Sequence, residues 1–243
     1  MLKPIIKIDR VTTVKEALEL ENLGVDFIVV QLSDDPRFTD NRNVSINTAL
    51  DIKQSLKRAK LVWWFWIEDN YDYALDIINK IWLKYIQQET HWKLPNDLRK
   101  ILKKKWINFI YSNIVASYED EQSWILDRYK FKDRDYWTPM FYDVDLLWDM
   151  GNSRYFLKNE SPLYKDELLQ IEEIRNLTKD DSLLITFDYN IENIKEILEN
   201  FPDTKWISMT IVDNEPIEND IHYFRYKEIV NILKYIKIFE KLK

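Results

Sequence analysis

Short apolar runs alternate along this chain with helix-like stretches, and this alternation constrains the fold more than any other feature. Seven runs are apolar on both faces, as in strands that are buried on both sides of a sheet: 5–8, 27–32, 61–67, 106–115, 144–148, 183–187 and 206–212. Strands of this kind separated by helices indicate a parallel sheet covered by helices. At least seven in one undivided chain favour a (β/α)₈ barrel, the TIM barrel, over an open doubly wound sheet. We expect a single domain over 1–243.

The intervening segments predict helices, most clearly at 71–88, where the apolar residues share one face. Further helices are expected at 14–23, 46–56, 191–200 and 227–242. The segment 89–105 looks like an additional helical insertion. The stretch 130–142 is too short for a strand and a helix, so one unit of the barrel is expected to be abbreviated.

Composition excludes several kinds of site. The chain has no cysteine and two histidines, which disfavours thiolate chemistry and metal sites, and we expect no metal and no cofactor. Only two glycines occur among 243 residues, so glycine-rich phosphate loops are absent. A net charge of −7 argues against nucleic acid as a partner. No apolar run reaches the roughly 20 residues of a membrane helix, and the charged N-terminus is unlike a signal peptide. A cytoplasmic protein without membrane contact is expected.

Ordered segments of the chain resemble the phosphoribosylanthranilate isomerase family, which performs an Amadori rearrangement in tryptophan biosynthesis. The sequence KIDRVT at 7–12 stands where that family has Lys-Ile-Cys-Gly-Ile-Thr. The sequence DPRFT at 35–39 resembles its Ser-Pro-Arg-Tyr-Val segment, and LLWD at 146–149 resembles its Leu-Leu-Leu-Asp. The sequence FDYNIENI at 187–194 stands at Gly-Gly-Leu-Asn-Pro-Glu-Asn-Val. The match extends over most of the chain, in the family's order.

The resemblance implies roles for four residues. Asp9 replaces the cysteine that acts as general base, and Asp149 keeps the position of the general acid. Arg37 matches the arginine that holds the substrate's carboxylate. Asp188 stands in the family's phosphate site. Its position implies contact with the substrate, but its negative charge would repel a phosphate dianion. Because the phosphate-binding glycines are replaced, the resemblance implies a divergent member without the parent isomerase activity.

Three functions are compatible with these features, and whether the chain is an enzyme is left open. The first is a pseudoenzyme that acts as a binding or regulatory protein, for example a bacterial immunity protein. It would bind a basic protein partner or a small-molecule ligand through an acidic, aromatic-rich barrel mouth. The second is an enzyme of changed specificity, with Asp9 and Asp149 as an acid–base pair acting on a sugar or amino sugar. The third is a phosphoribosylanthranilate isomerase that is still active.

Other residues near the predicted strand ends have a structural and a functional interpretation. Arg10 and Arg42 would either neutralise the acidic mouth or form salt bridges within loops. Strand alternation places Trp63 and Trp64 on opposite faces, with core packing as the expected role. His222 is expected to be an ordinary, partly buried histidine.

Overall fold

The computed structural model describes residues 4–32, 40–65, 71–80, 82–89, 96–123, 125, 139–146, 157–158, 169–180, 182–214 and 222–241. Their elements follow one another as a repeated strand and helix. In chain order they are β1 (Ile5–Asp9), α1 (Val14–Leu23), β2 (Phe27–Gln31), α2 (Ile46–Ser55), β3 (Lys60–Phe65), α3 (Tyr71–Lys80), β4 (Tyr85–Glu89), α4 (Asn96–Lys105), β5 (Asn108–Ala116), β6 (Phe141–Leu146), α5 (Ile171–Leu177), β7 (Leu183–Thr186), α6 (Ile194–Asn200), β8 (Trp206–Ile211), β9 (Tyr223–Phe224) and α7 (Tyr226–Lys241).

Strands β1 to β8 form a closed parallel barrel, which confirms the predicted TIM barrel. Each strand pairs with the next, and β1 closes the ring by pairing with β8, with Lys7 opposite Ser208 and Asp9 opposite Thr210. The short β9 continues the sheet beside β8. Because all eight strands run in the same direction, their carboxyl ends meet at one face of the barrel, where sites in this fold lie.

The first helix shows how local sequence sets the element bounds. The Thr13 side chain accepts a hydrogen bond from the Glu16 N–H and caps the start of α1. Gly24 ends the helix at φ 103°, a left-handed conformation that a side chain would disfavour. The predicted bounds of α1 agree with the structure because these two residues act on the helix directly.

Apolar side chains pack in two places. The larger cluster lies between the strands and the surrounding helices, and it includes Ile8, Leu20 and Trp63. The smaller cluster lies inside the barrel and is formed by Phe27, Val29, Val62, Trp64, Ile110, Phe141 and Leu184. Trp63 and Trp64 therefore lie on opposite faces of β3 and are both buried, as strand alternation predicted.

One predicted helix and the predicted insertion are wrong. The segment 71–88 is divided into α3, ending at Lys80, and the strand β4, starting at Tyr85. The segment 89–105 is therefore no addition to the barrel, because α4 is its regular fourth helix. The apolar residues of β4 continue the 3.6-residue period of α3, and no glycine or proline marks the break. Periodicity alone could not separate the two elements.

Strand β6 covers 141–146 rather than the predicted 144–148, so it ends three residues before Asp149. Most of the unit that was predicted to be abbreviated lies outside the described residues, since they lack 126–138. Within the described part of the chain, no helix is long and apolar enough to cross a membrane.

Candidate active site

A buried lysine joins two aspartates inside the carboxyl half of the barrel. The Lys7 ammonium donates to Asp9 Oδ2 at 2.7 Å and to Asp143 Oδ2 at 2.6 Å, and its side chain is fully buried. Ser208 Oγ accepts a third hydrogen bond from Lys7 at 3.1 Å. The two carboxylates come from β1 and β6, which β7 and β8 separate in the ring, and Lys7 bonds to both.

This arrangement changes the proton affinity of both partners. Burial disfavours the charged ammonium, but the attraction of Asp143 and Asp9 outweighs burial and raises the pKa of Lys7 above its usual 10.5. Burial also raises the pKa of Asp9 above its usual 3.8; Lys7 opposes this change and the negative charge of Asp143 adds to it. Lys7 therefore stays a cation at neutral pH, whereas Asp9 takes up a proton more readily than an exposed aspartate does.

Asp9 lines a cavity, and only one of its two carboxylate oxygens is hydrogen-bonded within the described residues. Gln87 donates to Asp9 Oδ2 at 3.0 Å, so this oxygen is held by two donors. Asp9 Oδ1 and Gln87 Oε1 are buried, and neither accepts a hydrogen bond from the described residues. Both residues line a cavity of about 30 Å³, which we call the deep cavity. A buried acceptor without a donor costs about 1–3 kcal/mol, so these two oxygens are suited to a ligand that donates hydrogen bonds.

The walls of the deep cavity are mostly polar. They are formed by Asp9, Trp64, Gln87, Ser112, Asn113, Asp143, Asp145, Thr186, Thr210, His222 and Tyr223. His222 is only 1% exposed, so it is more buried than the sequence suggested. Strands β1 and β3 to β8 all contribute to the cavity, which is the arrangement of a site at the carboxyl face of a barrel.

Of the four residues to which the resemblance gave roles, two lie among the described residues. Asp9 is in the deep cavity, whereas Arg37 and Asp149 lie outside the described residues. Asp145, on β6 itself, lines the deep cavity. Asp145 is thus a second carboxylate of β6 in this cavity, together with Asp143.

Asp188 lies away from Asp9, in a second cavity of about 420 Å³ that we call the outer cavity. It follows β7, and its backbone carbonyl accepts a hydrogen bond from Asn193 Nδ2 at 2.7 Å. The outer cavity is lined by Asp188, Tyr189, Asn190, Ile191, Tyr223, Phe224, Glu228, Asn231 and Ile232. Tyr223 lines both cavities, so the two are neighbours.

The two arginines near the mouth form ion pairs rather than an open cationic rim. Arg10 is buried, adopts φ 64° and pairs with Asp40. Hydrogen bonds from Arg10 and from the Asp213 N–H outweigh burial and lower the pKa of Asp40. Arg42 donates to Glu16 at 2.8 Å and to Asp213 at 2.7 Å. These contacts agree with the interpretation that both arginines form salt bridges within loops rather than neutralise the mouth.

The described tryptophans do not make the mouth rich in exposed aromatic rings. Trp64 lines the deep cavity but is only 4% exposed. The strongly exposed ones are Trp82 and Trp106, at 86% and 73%. They precede β4 and β5 and therefore lie at the opposite, amino end of the barrel.

Four residues of the site were not predicted from the sequence: Lys7, Gln87, Asp143 and Asp145. A signal was available for Lys7, because it alternates with Asp9 within an apolar strand and must share its face. That face points into the barrel, where a cation needs a partner. Asp143 could not be found in this way, because the predicted strand began one residue after it.

Among the residues that the structure describes, no group of three or more histidine, aspartate or glutamate side chains is arranged to hold a metal ion. The chain has no cysteine. The polar groups that the described residues bring to the site are carboxylates, an ammonium group, amides, hydroxyls and the imidazole of His222.

Comparison with solved structures finds the same barrel in enzymes of low sequence identity. Phosphoribosylanthranilate isomerase from Thermotoga maritima has a TM-score of 0.59 at 17% identity, covering 96% of this chain and 98% of its own. The isomerase from Thermus thermophilus has a TM-score of 0.59 at 13% identity, covering 97% and 99%. Type I 3-dehydroquinate dehydratase from Clostridium difficile has a TM-score of 0.57 at 13% identity, covering 98% and 93%.

No protein-family model matches the sequence. No curated protein matches it either. The likeness to solved structures therefore concerns the fold, and it holds over almost the whole length of each chain: the protein is a TIM barrel similar in structure to the phosphoribosylanthranilate isomerases.

Proposed function

We propose that the protein is an enzyme that transfers protons on a small, non-phosphorylated molecule at the carboxyl end of the barrel, with Asp9 as the general base. One observation carries this proposal: a buried carboxylate that lines a cavity has one oxygen fixed by two donors and the other without a donor from the described residues. A base works best when its pKa lies near the working pH, and the pKa of Asp9 is raised in that direction.

The neighbouring groups have complementary roles in this proposal. Lys7 remains protonated, so it orients Asp9 and stabilises negative charge that develops in the cavity. Asp9 accepts a proton from the substrate and returns it, so that no net proton is gained or lost in an isomerisation. The acid belongs on β6 or directly after it, where Asp145 lines the cavity and the resemblance assigns the role to Asp149.

We also infer that the chain is a divergent relative of the phosphoribosylanthranilate isomerases without their activity. The ordered motifs and the shared barrel support the relation. The outer cavity argues against their phosphorylated substrate, because Asp188 and Glu228 line it and two backbone N–H groups after β7 are already bonded within the chain. An isomerase assay by loss of substrate fluorescence is expected to show no turnover; turnover that Asp149→Asn abolishes would establish the family's own reaction instead.

Hydrogen exchange tests the proposed base directly. The protein is incubated in D₂O with a panel of ketoses, aldoses and amino sugars, and deuterium incorporation at carbon is followed by NMR. We expect exchange with at least one compound, and a reduction of about 10²–10⁴-fold in Asp9→Asn. Asp213→Asn, on the exposed rim, is the matched control and should retain the rate. An unchanged rate in a folded Asp9→Asn variant, or no exchange across the panel, would overturn the proposal.

A binding or regulatory role is the second candidate, and it is favoured by the carboxylates of the outer cavity and rim. Asp9 is buried and cannot contact a protein partner, whereas Asp213 is 55% exposed in its side chain. A basic protein partner would therefore bind equally well to Asp9→Asn but poorly to a variant with Asp188→Lys and Glu228→Lys. Affinity purification of partners with these two variants in parallel separates the candidates. A binding role predicts that only the Asp188→Lys, Glu228→Lys variant loses its partner, whereas the enzyme proposal predicts that the single change Asp9→Asn abolishes function.

A further inference from the structure

We propose that the ligand of this site is a small hydroxylated amine, which donates hydrogen bonds to Asp9 and Gln87 and places its ammonium group between Asp188 and Glu228. This inference rests on the proposed function and names the substrate class of the same site. It starts from the neighbouring positions of the deep and outer cavities, which share Tyr223 as a wall.

The deep cavity selects hydrogen-bond donors. Asp9 Oδ1 and Gln87 Oε1 belong to side chains that are 2% and 1% exposed, and neither oxygen receives a hydrogen bond from the described residues. An ionised carboxylate and an amide oxygen only accept hydrogen bonds, so a hydroxyl or amine satisfies them and an ionised phosphate or carboxylate oxygen does not. The carboxyl groups of Asp143 and Asp145 on the same walls further disfavour the binding of an anion.

The outer cavity selects positive charge. Asp188 and Glu228 come from different parts of the chain, after β7 and in the first turn of α7, and both line this cavity. Tyr189 and Phe224 stack with their ring centres 6.5 Å apart and form part of its apolar wall. Carboxylates beside aromatic rings are a combination that binds ammonium groups.

The backbone at this corner supports the same conclusion. A phosphate at the start of a barrel helix is bound by free N–H groups. Here Asn190 Oδ1 accepts hydrogen bonds from the N–H groups of Glu192 and Asn193, both at 2.9 Å. The Ile194 N–H donates to the Asn190 carbonyl at 2.9 Å. These three donors are bonded within the chain, so they are not available to a dianion.

The outer cavity has the size of a small-molecule site. Its volume of about 420 Å³ falls within the roughly 300–1,000 Å³ usual for ligand pockets. The deep cavity, at about 30 Å³, admits only a group about the size of one water molecule. A ligand with its bulk in the outer cavity and one hydroxyl or amine in the deep cavity fits both volumes.

Binding measurements with matched probes test this inference. Calorimetric titration at slightly acidic pH compares glucosamine with glucose, ethanolamine with ethylene glycol, and each with inorganic phosphate. We expect each amine to bind at least tenfold more tightly than its neutral counterpart, and phosphate to bind most weakly. Tighter binding of phosphate, or equal binding of amines and their neutral counterparts, would overturn the inference.

Variants locate the binding. The double variant Asp188→Asn with Glu228→Gln should lose the preference for amines, while Glu199→Gln, an exposed carboxylate of α6, should keep it. A retained preference in the double variant would contradict the assigned site. Asp9→Asn separates this inference from the proposed function: if it keeps both the amine preference and the exchange rate, the proposed base is wrong and the amine site stands.

Discussion

The two ends of the barrel interior differ in chemistry although the same strands form them. At the amino end, the first residues of β2, β4, β6 and β8 are Phe27, Tyr85, Phe141 and Trp206, and their rings pack together. At the carboxyl half, β1 and β6 instead contribute Lys7, Asp9 and Asp143. The amino end buries apolar area and holds the barrel closed. The carboxyl end keeps buried charges, although well-packed apolar side chains in their place would give the same stability.

Removing the cation from the polar end should have the largest effect on stability. Lys7→Met leaves Asp9 and Asp143 buried without their common partner. We expect a loss of about 3–5 kcal/mol in the free energy of unfolding, measured by urea denaturation. Lys195→Met removes an exposed ion pair and should cost less than about 1 kcal/mol. Similar losses in both variants would mean that the buried charges do not depend on Lys7.

A cavity in the apolar cluster inside the barrel should cost slightly less and leave ligand binding intact. Leu184 is fully buried in the inner cluster, so Leu184→Ala should lower the free energy of unfolding by about 3 kcal/mol. The measurement is urea denaturation together with the amine titration. A loss of amine binding in Leu184→Ala would mean that the apolar cluster and the polar groups are not independent, and the comparison would fail.

The pH dependence of stability should reveal the charge of Asp9. Folded Asp9 binds its proton more tightly than unfolded Asp9, since its pKa is raised above 3.8. The stability of the wild type should therefore fall relative to Asp9→Asn as pH rises from that value through the raised pKa. Urea denaturation of both proteins across this range measures the difference. If the free energy of unfolding of the wild type instead increases relative to that of Asp9→Asn as pH rises, Asp9 is stabilised as a carboxylate.

The smallest expected effect concerns a strained residue at the amino end. Trp106 adopts φ 55° directly after α4, a conformation that favours glycine, and its side chain is 73% exposed. Trp106→Gly should raise the free energy of unfolding by about 0.5–1 kcal/mol. Thermal denaturation measures the change, with Trp82→Gly as a control at an exposed position that is expected to show no gain. A loss of stability in Trp106→Gly would mean that the ring makes contacts that outweigh the strain.

Sequence analysis predicted the barrel and seven of its strands, because strands buried on both faces carry a continuous apolar signal. It missed β4, whose Gln87 and Gln88 interrupt that signal, and it merged the strand with α3. One of these polar residues belongs to the site, because Gln87 lines the deep cavity and donates to Asp9 Oδ2. The element that was hardest to predict is therefore one that gives the candidate site its chemistry.

The sequence by itself determined the alternation of strands and helices, the bounds of α1 and the position of Asp9 at the end of β1, because each depends on neighbouring residues. Tertiary structure alone decided which groups surround Asp9. Lys7 and Asp143 are 136 residues apart in the chain and meet only when the barrel closes. Closure also removes them from water. Burial raises the pKa of Asp9, whereas the pKa of Lys7 is raised by the carboxylates of Asp143 and Asp9 against the effect of burial.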